Sequence, residues 1–170
     1  MDFFNQTGKL AIGSRLRMLT DKITVDAAAI YKMFGVDLKP KWFPVFFVLS
    51  RGEAKTITSI AKEIGHSHPS VSNIIKEMVA KGLVKETKDK SDGRRNMVML
   101  SAKGKRMSDS FSEQCIDVTA AIEQITQQTR NDLWEAIEEW ENLLLDKSLL
   151  ERVKEAKKER ESKDIKIVPY

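Results

Sequence analysis

The chain has little of what would tie it to an oxidising compartment or a bilayer. Among its 170 residues there is one cysteine, Cys115, so no internal disulfide can form, which suits a reducing environment. The longest apolar run, Trp42 to Leu49, covers eight residues and contains Pro44, far short of the roughly 20 that a membrane-spanning helix needs. No membrane partner is expected. The opening Met1-Asp2-Phe3-Phe4-Asn5 lacks a basic stretch leading into an apolar one, so no secretory signal is expected and the cytoplasm is the default. Internal repeats and low-complexity tracts are also missing. Ser, His and Asp all occur, yet no nucleophile motif or strand-turn-helix context joins them, so the chain does not read as an enzyme. His66 and His68 stand two apart with no third ligand nearby, a poor metal site. Neither metal nor cofactor is expected.

What is present is a folded chain with a local surplus of positive charge. Hydrophobic residues make up 41% and charged residues 32%, a balance that fits a globular protein rather than a disordered tail. The net charge of +4 is unevenly spread. From Arg51 to Arg106 there are 13 Lys or Arg against 6 Asp or Glu, whereas the remainder holds 16 against 19. A basic middle third between acidic flanks points to a local polyanion-binding surface; the alternative is a solvated charged face with no partner.

Hydrophobic periodicity predicts a mainly helical chain. Ile12, Leu16, Leu19, Ile23, Ala27, Ile30 and Phe34 recur at steps of four and three, marking one face of a long helix that Gly35 stops. A second helix is expected over 41–50, with Pro44 in its first turn. Gly52 closes that element. The third covers 57–64 with Thr58 as N-cap and Ile60, Ala61 and Ile64 buried, and Gly65 ends it. Ser67 then caps a fourth helix from about His68 to Lys81, with Val71, Ile74, Ile75 and Met78 inward and Gly82 at its exit. Leu83 to Thr87 and Met97 to Leu100 flank a polar stretch and read as a β-hairpin with a long tip.

Ser101 can cap a fifth helix with the stripe Met107, Phe111, Cys115, Val118, Ile122 and Ile125. Thr126 or Thr129 is placed to start a sixth, bearing Leu133, Trp134, Ile137, Trp140 and Leu144 opposite an acidic face. Ser148-Leu149-Leu150-Glu151 has capping-box spacing, so a charged helix should follow to about Glu161.

Two short helices around a tight turn, followed by a hairpin, make a winged helix-turn-helix, here with a helical dimerisation region on either side. In that arrangement the second helix fits the DNA major groove and its amino-terminal polar residues meet base edges and backbone. The outward candidates are His68, Ser70, Ser72, Asn73 and Lys76, with Ser67 at the cap. Asn73 suits bidentate reading of adenine, while Lys76 suits a phosphate or guanine. In the hairpin, Lys88, Lys90, Arg94 and Arg95 can reach the minor groove, where Arg senses groove width and potential more than base identity. Asp92 and Gly93 supply turn chemistry. Asp92 is expected to orient Arg94 or to tie the tip down.

Several stretches together resemble the MarR family of bacterial transcription regulators. They are Ile57-Thr58-Ser59-Ile60-Ala61-Lys62-Glu63-Ile64-Gly65, Ser67-His68-Pro69-Ser70-Val71-Ser72, Lys81-Gly82-Leu83-Val84, Asp92-Gly93-Arg94-Arg95 and Leu100-Ser101-Ala102-Lys103-Gly104. The likeness covers roughly Gly8 to Asp146. It implies a homodimer whose first and last helices interlock, two winged helices on a pseudo-palindromic duplex, and often a small-molecule effector between the two parts. The family's wing Asp-x-Arg falls on Asp92 and Arg94. Asn73 departs from the pattern, since many relatives carry a basic residue there, so base preference does not transfer.

The residues themselves also argue for a partner copy. Leu16, Leu19 and Ile23 on the first helix and Leu133, Trp134, Ile137 and Trp140 on the sixth exceed what one winged helix can cover, and a second chain is the expected cover; packing within one chain is the alternative. Cys115 lies on an apolar stripe and reads as a core thiol rather than a redox switch. On this reading residues 1–146 form the MarR-like unit, with dimerisation helices at about 1–35 and 102–146 and the winged helix at about 40–101. Residues 147–170 carry a charged helix and a strand-like tail. Ile165 to Tyr170 looks like the first strand of a GNAT-type N-acetyltransferase, which MarR-like modules are known to precede; an ordinary frayed terminus is the alternative. A regulatory or protein-interaction module of such an enzyme is therefore the rival expectation.

Overall fold

The computed structural model describes residues 3–88 and 96–163. Its elements are α1 (Phe3–Thr7), a 3-10 turn (Gly8–Ala11), α2 (Ile12–Met33), a second 3-10 turn (Pro40–Trp42), α3 (Phe43–Ser50), α4 (Ile57–Glu63), α5 (His68–Ala80), β1 (Val84–Lys88), β2 (Asn96–Leu100), α6 (Ala102–Gln127), α7 (Leu133–Asp146) and α8 (Leu149–Ser162). They divide into two compact units, Met1–Val118 and Thr119–Tyr170. No helix among the described residues is long and apolar enough to cross a membrane. The strand-like tail at 165–170 lies outside the described residues.

In the first unit the core gathers under the helix-turn-helix. Trp42, Val45, Phe46 and Leu49 line the buried side of the second 3-10 turn and α3, with Pro44 in the first turn as its missing N–H permits. The Phe111 ring of α6 meets Phe46 edge-on, with centroids 4.8 Å apart. Val71, Ile74, Ile75 and Met78 lock α5 against this cluster, each burial contributing roughly 1.5–3 kcal/mol. β1 and β2 pair antiparallel, from Val84 opposite Leu100 to Lys88 opposite Asn96. Lys55 extends the sheet by one bridge, exchanging backbone bonds with Val98 at 3.0 and 2.8 Å.

Two helix starts differ from the sequence expectation. The N-cap of α4 is Thr56, not Thr58: Thr56 Oγ1 accepts from the Ser59 N–H at 3.1 Å, and its backbone is extended where Thr58 is already helical. Ile64, just past α4, is only half-buried. Neither Thr126 nor Thr129 starts α7: Thr126 still lies inside α6, and Thr129 lies in the link that follows it, short of the first residue of α7. Thr126 Oγ1 donates to the Ile122 carbonyl at 3.0 Å and Thr129 Oγ1 to that of Thr126 at 2.7 Å. Asp132 takes the role instead, its Oδ1 accepting from the Trp134 and Glu135 N–H groups at 2.8 and 3.1 Å.

Along α6 the polar Gln114 is buried beside Phe111, whereas Ile122 and Ile125 of the expected stripe are exposed. Ser101 caps this helix, its Oγ accepting from the Gly104 N–H at 3.1 Å. In the second unit Ser148 and Glu151 form the capping box that their spacing predicts. Arg152 fixes the corner between α7 and α8 by donating to the carbonyls of Lys147 and Leu143 at 3.0 and 2.8 Å. Neither α7 nor α8 contains a buried residue.

Candidate nucleic-acid interface

The turn between α4 and α5 sets how the second helix is presented. Gly65 adopts φ 68°, a left-handed conformation that costs other residues, and the His66 N–H returns to the Ala61 carbonyl at 3.0 Å. The chain thus reverses within four residues. Ser67 then accepts from the Ser70 N–H at 3.4 Å, opening α5 with a side-chain cap.

With Val71, Ile74, Ile75 and Met78 fixed inward, the 3.6-residue period turns the polar residues of α5 out. Ser67, His68, Ser70, Asn73 and Lys76 are exposed, and Ser72 is half-buried on the flank. Six of the candidate residues therefore lie on one short element, along the cap and first turns of a helix anchored in the core. Pro69 occupies the first turn of α5, where it removes no helical hydrogen bond.

Lys88 ends β1 and donates to Asn96 Oδ1 across the hairpin at 2.7 Å. Lys90, Asp92, Arg94 and Arg95 lie outside the described residues. The base of the hairpin is braced by charge: Lys55 Nζ stands 3.0 Å from Glu63 and 3.6 Å from Glu53, and Arg51 stands 3.6 Å from Glu63. The Glu63 carboxylate, bonding the Lys55 ammonium, raises the Lys55 pKa.

A polar cluster beside α5 escaped the sequence reading. Glu77 Oε1 accepts from Lys41 Nζ at 2.6 Å, while Glu77 Oε2 accepts from Trp42 Nε1 at 2.9 Å and Lys39 Nζ at 3.4 Å. Lys41 first, then the Trp42 N–H, hold the Glu77 carboxyl down at about 2 from an ordinary 4.5. The available signal was a lone acid one turn beyond Asn73 on an otherwise neutral or basic helix. No group of three His, Cys, Asp or Glu among the described residues could hold a metal ion.

The dimerisation candidates are exposed in each unit taken separately. Leu16, Leu19 and Ile23 lie on α2, whose single buried residue is Tyr31. Leu133, Trp134, Ile137 and Trp140 lie on α7, with Trp134 71% and Trp140 54% exposed.

Residues 36–95 match the sequence model of the MarR family. No curated protein matches the chain. Among solved structures, the adhesin competence repressor AdcR of Streptococcus pyogenes superposes with a TM-score of 0.57 at 19% identity, over 79% of this chain and 95% of that one. The transcriptional repressor CouR, bound to a 23-mer DNA duplex, gives a TM-score of 0.60 at 20% identity, over 82% of this chain and 96% of its own. The PcaV regulator of Streptomyces coelicolor, in complex with its natural ligand, gives 0.59 at 13%, over 80% and 92%. Those likenesses establish the fold. Residues 36–95, which hold the helix-turn-helix, are thus similar to the MarR family in sequence, and the chain shares the fold of those solved regulators.

Proposed function

We propose that the chain is a sequence-specific DNA-binding transcription regulator that acts as a homodimer, with α5 in the major groove and the wing near the minor groove. The observation that carries this reading is the exposed row Ser70, Asn73 and Lys76 on a helix whose opposite face is locked in the core of a MarR-family module. A rigid helix presenting short polar side chains is what base-edge readout requires. Asn73 is the base reader, Lys76 a phosphate or guanine contact, and Lys88, Lys90, Arg94 and Arg95 are the wing contacts near the minor groove, with Asp92 orienting Arg94.

The homodimer is supported by unsatisfied apolar surface. A 22-residue helix with one buried side chain, and α7 and α8 with none, would be marginal in water by themselves. A second copy covering Leu16, Leu19, Ile23, Leu133, Trp134, Ile137 and Trp140 would supply the missing burial. A small-molecule effector is the proposed means of control; PcaV, of the same fold, was solved in complex with its natural ligand.

Fluorescence anisotropy with a duplex selected from random DNA tests the reading. Affinity should fall steeply with salt, since each neutralised phosphate contributes about −0.9 to the logarithmic slope. Asn73→Ala should weaken the selected site and spare unrelated duplexes, whereas Arg94→Ala should weaken both. Failure to bind any duplex in dilute buffer defeats the reading.

A further inference from the structure

On one flank of α5 the structure has a groove of about 310 Å³, bounded by Pro40, Lys41 and Pro44 on one side and by Ser70, Asn73 and Glu77 on the other. Ser70, Asn73 and Glu77 are spaced i, i+3, i+7 and form one ridge along the helix. The two lysines beside this ridge are held, not free. Lys41 bonds Glu77 at 2.6 Å, and Lys39 lies 3.4 Å from the same carboxylate with its Nζ 4.9 Å from the Trp42 ring centre. Trp42 is almost fully buried, at 1% exposure, so the whole cluster is anchored to the core.

Two ammonium groups on one carboxylate leave a positive charge in surplus. Both lysine side chains remain more than half exposed, so the surplus faces solvent. A helix with its side chains is about 10–12 Å across and the major groove about 12 Å wide, so the flanks of an inserted helix must abut the phosphate strands.

We propose that Lys39 and Lys41, held by Glu77 and Trp42, form a clamp that seats one DNA backbone phosphate per protomer in the groove beside Ser70 and Asn73. The inference rests on the DNA-binding reading above and adds a contact outside the helix-turn-helix and wing. Glu77 is a positioning residue here: it touches the lysines, and the lysines touch the phosphate. The Ser70 hydroxyl lines the same groove and can donate to the seated oxygen. Because the ligand is backbone and not base, the clamp fixes register without reading sequence.

The test compares wild-type protein with Lys39→Gln/Lys41→Gln in anisotropy titrations over a salt series, on the selected duplex and on an unrelated one. The double variant should weaken both duplexes by the same factor and lower the logarithmic salt slope by about 1 per protomer. Lys39→Arg/Lys41→Arg should keep the slope, and Lys154→Gln/Lys157→Gln, which removes equal charge from α8, should leave it unchanged. Independently of any variant, duplex should shield Lys39 and Lys41 of the wild-type protein from acetylation. A wild type that binds with a steep slope, combined with an unaltered slope in the double variant or unshielded lysines, overturns the clamp alone. A wild type that ignores DNA overturns the DNA-binding reading beneath it.

Discussion

The indole N–H of Trp42 reaches out of the core to Glu77 Oε2 on α5 at 2.9 Å. A side chain with 1% exposure and a side chain on the candidate interface are thereby joined by one hydrogen bond. Core packing around Trp42 and the placement of α5 are consequently one problem.

The bonds that Lys41 and then Trp42 give to Glu77 make acid stability a readout of the cluster. The Glu77 carboxyl sits at about 2 in the folded chain against an ordinary 4.5, so between those values the unfolded chain takes up the proton and the folded one does not. The contribution is complete above about 4.5 and disappears as pH falls toward 2. Urea melts from pH 5 to 2.5 should show Glu77→Gln losing less stability on acidification than wild type. Parallel pH profiles would contradict the assignment.

Gly104 is required by close approach. A Cβ there would lie 2.2 Å from the Leu83 carbonyl oxygen and 3.3 Å from Leu100 Cβ, and the first of these is backbone that cannot rotate away. Gly104→Ala should cost about 1–3 kcal/mol through forced displacement of α6 from the hairpin. Calorimetry should show melting lower by about 2–4 °C per kcal/mol lost. An unchanged melting temperature would refute the contact.

The exposed face of α7 should respond to charge. Trp140→Asp or Ile137→Asp removes no fully buried side chain, since Trp140 is 54% and Ile137 39% exposed, but would place a carboxylate in the proposed interface. Light scattering should find wild type dimeric and each variant at least tenfold weaker in self-association, with helicity retained. Dimers of undiminished strength would move the interface elsewhere.

Cys115 should behave as a packed thiol. Burial raises its pKa above the ordinary 9.0, and a thiol reacts through its thiolate. Alkylation at pH 8 should be slower in the folded protein than in urea. Equal rates would place Cys115 in a different environment.

The local grammar of the chain was written in its residues. Ser67 before an apolar-periodic stretch, Ser148 with Glu151, Gly35 and Gly82 at helix exits and Pro44 in a first turn all act within a few residues of themselves, so spacing alone located them. The same locality explains why α5 turns Asn73 and Lys76 outward: four apolar residues on a 3.6-residue period leave them no other direction. Sequence failed where several groups compete for one role. Thr56, Thr126, Thr129 and Asp132 are all capping residue types, and the choice fell to those with an extended backbone directly before a helix, Thr56 and Asp132. Glu77 and Trp42 are 35 positions apart. No periodicity links them, and only the packing of α3 and α5 into one core brings the carboxylate to the indole and draws Lys39 and Lys41 to both, because a buried N–H must find an acceptor wherever the fold supplies one.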